Sequence, residues 1–289
     1  MKNKKSVFAV IALVLIVGIV LAISYFNMNS NAVEDEKLIV KVLKTGKSDA
    51  IFVRSGDKTM MIDVGKIKDA EKIVQFLHNE NITTLDTIII THFDKDHVGA
   101  AGMIVEEFNV GQVLVPDYEG LIPEYADFMN SMTAAQITPR HVSEQMNITL
   151  GNATVHIDPP INYDVNIIAD AVDDYDNTLS LMTTITCGEK RFLFAADADR
   201  RRLNEWMENN DPQDIDFLKV PHHGSFNASL DALLAATTPE YAAITCSKKN
   251  PADDVTIETL QKHGVNVYQT RDGQITVITD GKNIKVIQD

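Results

Sequence analysis

Six consecutive residues, His92-Phe93-Asp94-Lys95-Asp96-His97, constrain this chain more than any other feature. They follow directly on an apolar stretch, Leu85 to Thr91, whose centre is Thr87-Ile88-Ile89-Ile90. A run of that kind reads as a strand buried on both faces. Two imidazoles and two carboxylates at the end of such a strand are costly to bury without a compensating charge. In an extended loop, residues two apart point the same way, so His92 and Asp94 can clasp one cation. Asp96 and His97 begin the next helix and turn to the other side, where they can hold a second. A solvated turn in which Asp96 caps a helix needs one carboxylate; metal coordination accounts for all four side chains.

Three more loops show a strand that runs into a polar residue. Val220-Pro221-His222-His223-Gly224-Ser225 ends one strand, and paired histidines facing a glycine suit one ligand plus one group that touches substrate. Phe192-Leu193-Phe194-Ala195-Ala196 ends on Asp197, and Met60-Met61-Ile62 ends on Asp63. Each of these aspartates, taken alone, could equally cap a helix. Of the eight histidines, His92, His97, His222 and His223 occupy two strand-end loops. His78, His141, His156 and His263 are scattered and read as ordinary surface or core residues.

Between these loops, strands alternate with helices. Leu38–Leu43 is expected as a strand, followed by a hairpin of Asp49–Val53 and Lys58–Asp63. A helix is expected from about Asp69 to His78, another from Val98 onward, and a strand over Gly111–Val115. The stretch from Pro116 to Ser143 reads as loop and helix over one face. Hairpins are expected at Ile148–Ile157, turning at Gly151-Asn152, and at Ser180–Thr186 with Arg191–Ala195. Helices over Asp199–Asn209, Leu230–Ala236 and Val255–His263 alternate with strands at Asp216–Val220 and Tyr241–Cys246. Val265–Gln269 and Ile275–Thr279 are the expected closing strands. No change of composition interrupts this series, so residues 33–289 are expected to form one α/β domain.

Residues 1–32 stand apart. Lys2, Lys4 and Lys5 precede an uncharged run from Ser6 to Phe26, long enough for the ~20 apolar residues that span a bilayer. The expectation is an uncleaved signal-anchor helix, or a signal peptide cleaved after Ala32, with the remainder outside the cytoplasm. Apolar residues make up 45% and charged residues 23%, which excludes a disordered or low-complexity chain. The formal charge of -15 argues against non-specific binding of nucleic acid, which depends on Lys and Arg neutralising phosphates. Cys187 and Cys246 are too few for a disulfide framework and are expected as small buried residues.

The order Asp63-x-Gly65, H-x-D-x-D-H at 92–97, Asp197, then His-His-Gly-Ser at 222–225 resembles the metallo-β-lactamase-fold hydrolases. It is most similar to the branch with the nuclease-like domain of the DNA-uptake protein ComEC and the phosphorylcholine esterase of bacterial surfaces. That branch has aspartate at the position of Asp94 and a Gly-x-x-Asp-Ala opening, matched by Gly46-Lys47-Ser48-Asp49-Ala50. The resemblance implies an αββα four-layer sandwich and two divalent metal ions, Zn²⁺ or Mn²⁺, the carboxylate-rich set letting Mn²⁺ compete with Zn²⁺. It implies that His92 and Asp94 hold the first ion and Asp96 and His97 the second. Asp197 would bridge them, His223 complete the second site and His222 face the substrate. Asp63, Asn177 and Ser225 would support this set from behind. Catalysis, with Asp96, Asp197 and His222 at its centre, would use a metal-activated water on a small or envelope-linked phosphoester. A competence-type DNase and a binding protein without turnover are the alternatives. Three positions depart from the branch: Lys44 stands where an acid is usual, Ala195-Ala196 replace Thr-Gly, and Asn250-Pro251 lack the usual His-Pro.

Overall fold

The computed structural model describes residues 37–161, 163, 175–210 and 214–289. The signal-anchor expected within residues 1–32 lies outside them; among the described residues no helix is long and apolar enough to cross a membrane.

Two sheets carry the fold. The first has eight strands in the order β15-β14-β1-β2-β3-β4-β5-β6 and the second has seven, β13-β12-β11-β10-β9-β8-β7. In the first, β1 (Leu38–Val42), β2 (Ala50–Ser55) and β3 (Lys58–Val64) pair antiparallel. Then β3, β4 (Thr84–Ile89), β5 (Asn109–Pro116) and β6 (Arg140–Val142) run parallel. The second sheet repeats the plan. The strands β7 (Met146–Leu150), β8 (Ala153–Asp158), β9 (Met182–Cys187) and β10 (Lys190–Phe194) are antiparallel. Parallel pairing continues through β11 (Phe217–Lys219), β12 (Tyr241–Ile244) and β13 (Asn266–Gln269).

Alternation along the central strands sorts side chains into three buried layers. In β3, Met60 and Ile62 face the second sheet while Met61 packs toward helices; in β10, Phe192 and Phe194 face inward and Leu193 outward. Both faces are covered, which is why these strands read as unbroken apolar runs. The outer layer of the first sheet is made by α1 (Ala70–Asn79), α2 (Lys95–Val98), α3 (Ala101–Glu107) and α4 (Pro123–Ala134). That of the second is made by α6 (Arg200–Asn209), α7 (Leu230–Thr237) and α8 (Asp254–Lys262), while the one-turn α5 (Tyr175–Thr178) precedes β9. The expected helix–sheet–sheet–helix order is therefore present.

Three details differ from the sequence expectations. The helix expected from Val98 is two pieces, α2 and α3, broken at Gly99. A Cβ there would sit 2.4 Å from the Lys95 carbonyl oxygen and 2.7 Å from the Ile67 nitrogen, so the chain passes too close for any side chain. The chain closes with three strands, because β14 (Ile275–Thr279) is followed by β15 (Ile284–Gln288). Finally, Pro116–Ser143 holds both α4 and the short edge strand β6. Cys187 and Cys246 are free, buried thiols, as expected.

Candidate metal centre

Five strand ends meet in one place. β3 delivers Asp63, β4 the Thr91–His97 segment, β10 Asp197, β11 His222 and His223, and β12 Thr245. All belong to the parallel centres of their sheets, whose carboxyl ends are the usual ligand-binding edge of α/β folds.

The Nε2 atoms of His97, His223 and His222 lie 3.3, 3.0 and 3.9 Å from Asp197 Oδ2. His223 Nε2 is also 3.7 Å from Asp96 Oδ2, and His92 Nε2 is 3.5 Å from Asp94 Oδ2. The His92 and His97 rings are 4.0 Å apart. Four donor groups have their ligand atoms within 4.8 Å of one another: His92–His97–Asp197, Asp96–His97–His223, and two through the supporting carboxylates, Asp49–Asp197–His223 and Asp49–Asp63–His97. Asp96–His97–His223 is the triad that the family resemblance implies for one ion. The first group pairs His92 with His97 and Asp197, while Asp94 joins from its own side of His92.

Hydrogen bonding behind the rings decides which nitrogen faces inward. The Asp63 carboxylate accepts from the Thr91 amide at 2.8 Å and the Thr91 hydroxyl at 2.8 Å, and lies 2.7 Å from His97 Nδ1. With its proton committed to Asp63, the Thr91 hydroxyl can only accept from His92 Nδ1, 3.0 Å away. The same device serves His223: Thr245 donates to Asp49 Oδ1 at 2.5 Å and takes His223 Nδ1 at 2.8 Å. All three imidazoles thus carry their hydrogen on Nδ1, and their Nε2 lone pairs point into the cluster. Those three Nε2 atoms, together with Asp197 Oδ1, are shut off from water with no hydrogen-bond partner among the described residues. Orphaned polar atoms in a buried site cost stability, and four converging ones fit a divalent cation.

Electrostatics agree. Burial disfavours charge on Asp197, yet His223 and His97 outweigh it and hold the carboxyl well below its ordinary value. Burial lowers the affinity of His97 for a proton, but Asp197 and Asp63 raise it well above the usual imidazole value. His223 is raised likewise against its burial by Asp197 and Asp49. The site therefore attracts positive charge to its Nε2 positions, where proton and metal compete. His222 goes the other way: burial, together with repulsion from His223 and Lys47, lowers it against the attraction of Asp197. Its side chain is 33% exposed, so a neutral imidazole stands at the mouth of the cluster.

Local backbone geometry is strained where the ligands turn. Asp63, Ala196, His222 and His223 all adopt left-handed conformations, with φ of 56, 49, 48 and 55°. The other described non-glycine residues with positive φ, Asn81, Gln136 and Thr238, simply follow helices α1, α4 and α7. Ala196 occupies the position where the family resemblance places glycine.

The structure separates ligand from cap at Asp197. Asp199, not Asp197, caps α6, accepting from the Arg202 amide at 2.8 Å. Asp94 occupies the cap position of α2 but makes no capping bond; its carboxylate turns toward His92 instead. The four scattered histidines each lie beside a carboxylate away from the cluster: His78 by Glu107, His141 by Asp117, His156 by Asp158 and His263 by Asp231. Ser225, expected as a supporting side chain, takes part through its backbone, its amide closing a turn onto the His222 carbonyl at 2.8 Å. Asn177 is buried in α5. Its neighbour Asp176 accepts from the Tyr118 hydroxyl, and its carboxyl is raised by burial and by repulsion from Asp94.

Sequence reasoning missed Lys219, Thr245, Thr91 and the role of Asp49. Lys219 is fully buried, with Nζ 2.5 Å from Asp49 Oδ2 and 3.6 Å from Asp197 Oδ1, and it donates to the Ala196 carbonyl at 3.1 Å. A lysine in the otherwise apolar strand Phe217–Val220 was the available signal.

Comparison with known proteins follows the same line. Residues 43–172 match the Metallo-beta-lactamase superfamily. ComE operon protein 3 of Bacillus subtilis (strain 168) is 25% identical over 256 residues, covering 80% of this chain and 31% of that protein. Competence protein ComA of Neisseria gonorrhoeae is 23% identical over 262 residues, covering 88% and 34%. The chain thus spans about a third of the length of these curated relatives. Among solved structures, the metallo-beta-lactamase fold protein YhfI of Bacillus subtilis aligns with a TM-score of 0.53 at 12% identity, covering 81% of this chain and 95% of that one. Igni18, a metallo hydrolase of Ignicoccus hospitalis, aligns with a TM-score of 0.50 at 15% identity, covering 87% and 99%. Motif order, two-sheet architecture and these relatives show a metallo-β-lactamase-type fold in a chain similar to the ComEC-like competence proteins.

Proposed function

We propose that this chain is a metal-dependent hydrolase of phosphoester or phosphodiester bonds, holding two divalent ions between the sheets. The observation that carries the reading is the common orientation of His92, His97 and His223. Their Nδ1 atoms are engaged behind them, and three unpartnered Nε2 atoms converge with Asp197. His92, Asp94 and Asp197 would hold one ion, and Asp96, His97, His223 and Asp197 the other. With three carboxylates in the set, Mn²⁺ competes with Zn²⁺. Bound there, divalent cations supply Lewis acidity toward a phosphoryl oxygen and make a water nucleophilic near neutral pH.

The chain's own groups do the rest. Asp63 and Asp49 fix the rings from behind, so little reorganisation is needed when substrate arrives. Buried Lys219 helps keep Asp49 ionised against the cost of burial and lies 3.6 Å from Asp197 Oδ1. Neutral His222, partly open to solvent and 3.9 Å from Asp197, is placed to hydrogen-bond an incoming substrate. No serine or cysteine nucleophile is required. The apolar run within residues 1–32 supports a single-pass anchor with this domain outside the cytoplasm, facing small or envelope-linked phosphoesters.

A competence-type DNase is the second reading, favoured by the competence proteins among the relatives. The net charge of -15 weighs against it, although local fields can outweigh net charge at a cleft. The test compares bis-p-nitrophenyl phosphate, p-nitrophenylphosphorylcholine and single-stranded DNA with Mn²⁺ or Zn²⁺ present. Turnover of a small diester without DNA cleavage is expected, and Asp197→Ala should abolish it. A folded Asp197→Ala protein with near-native rate would defeat the assignment.

A further inference from the structure

Beside the metal centre lies a cavity of about 560 Å³ that the reading above leaves unused. It is lined by Lys44, Lys68, Lys72, Lys248 and Arg271, with Thr45, Gly46, Ser247 and Thr270 between them. Only two acids, Asp69 and Asp272, share it, which leaves a surplus of positive charge in a chain whose net charge is -15. Among the described residues, Arg271 alone of the five cations has a carboxylate within ion-pairing distance, Asp272 at 3.6 Å. Lys72 donates to the Lys44 carbonyl and Lys44 reaches the Asp272 carbonyl at 3.4 Å, so their stems gather along one wall.

The cavity is tied covalently to the metal centre on two sides. Gly46 is three residues from Asp49, and a chain that short spans at most about 11 Å. Cys246 follows Thr245, whose hydroxyl meets His223 Nδ1 at 2.8 Å. Lys66, two residues from Lys68 of the cavity wall, donates to the Lys47 carbonyl at 2.6 Å and lies 3.4 Å from Asp96 Oδ2. Positive charge therefore continues from the cavity to the rim of the site.

Two departures noted in the sequence meet here. Lys44 stands where the family pattern has an acid, and Lys248 and Lys249 immediately precede the Asn250-Pro251 pair that lacks the usual His-Pro. We propose that this cavity is an anion subsite for a phosphate group adjoining the one cleaved, so that the preferred substrate is an extended phosphodiester chain. The inference rests on the phosphodiesterase reading for which phosphate is cleaved, but binding to the cavity can be read without turnover. A nucleic-acid strand and a base-free polyol-phosphate chain share this chemistry.

The test is direct binding to the full-length protein, followed by fluorescence anisotropy across salt concentrations. The probes are labelled oligothymidylate of six residues and a base-free propanediol-phosphate hexamer. Lys44→Gln/Lys72→Gln/Arg271→Gln should weaken binding of the base-free hexamer about tenfold or more. It should also reduce the slope of log affinity against log salt by about 0.7, as expected when contact with one phosphate is lost. A control with Arg140, Lys282 and Lys285 changed to Gln should bind like the parent protein. Similar affinity for the two probes would mark the phosphodiester backbone as what is recognised. A tenfold preference for oligothymidylate, lost in the cavity variant, would assign the chain to nucleic acid. The proposal is overturned if the parent protein fails to bind either hexamer at low salt, or if the cavity variant, folded by circular dichroism, binds both unchanged. Absence of turnover with intact, cavity-dependent binding would instead count against the hydrolase reading alone.

Discussion

At the scale of single residues, the centre is governed by where each imidazole keeps its hydrogen. Thr91 and Thr245 are small, uncharged and easily passed over in a sequence, yet each is a relay from a carboxylate to a ring. Such outer contacts typically matter 10–100-fold to metal affinity. Thr245→Val keeps shape but removes the relay between Asp49 and His223. It should lower affinity for Mn²⁺ or Zn²⁺ by about 10-fold or more, measured by competition with a chromophoric chelator. Unchanged affinity in the folded variant would refute the relay. Sequence patterns alone point to His92, Asp94, Asp96 and His97, whose residue types are costly to bury without a ligand, while Asp197 and His223 enter only through the family resemblance. The patterns did not reveal Thr245 or Lys219, since neither hydroxyls nor one lysine in a strand carry a spacing signal. The family resemblance already implies Asp63 as a supporting group; the structure adds its left-handed φ of 56° and its contacts with Thr91 and His97.

At the scale of elements, most strands and helices were legible because the apolar periods change from two to near four between turn residues. β15 was not, since Ile284–Gln288 is short and only half-buried at a sheet edge. Nor was the break between α2 and α3, which depends on how closely Gly99 approaches Lys95 and Ile67 across the fold. The anchoring of α6 was equally invisible. Arg202, fully buried, donates through Nε to the Ser180 carbonyl at 2.8 Å and through Nη2 to the Asp158 carbonyl at 2.6 Å, and it also pairs with Glu205. Trp206 on the same helix donates to Asp158 Oδ2 at 3.2 Å. This clamp ties α6, which begins just after Asp197, to the ends of β8 and β9. Arg202→Met keeps the volume but leaves two buried carbonyls without donors. It should cost about 3 kcal/mol in urea unfolding. A loss below about 1 kcal/mol would show that the clamp is replaceable by packing alone.

At the scale of the whole molecule, two half-parallel sheets bring together loops more than a hundred residues apart in the chain. Neither sheet alone completes the cluster: Asp63, His92 and His97 come from the first and Asp197, His223 and Thr245 from the second. Metal binding should therefore hold the sheets together as well as serve chemistry, stabilising the fold by about 2.7 kcal/mol at a hundredfold excess over Kd. The central claim is best tested by calorimetric titration of chelator-stripped full-length protein with Mn²⁺ and with Zn²⁺. The account predicts saturable binding of two ions per chain, accompanied by a higher unfolding temperature. Binding no tighter than that of a variant with His92, His97 and His223 all changed to alanine would contradict it.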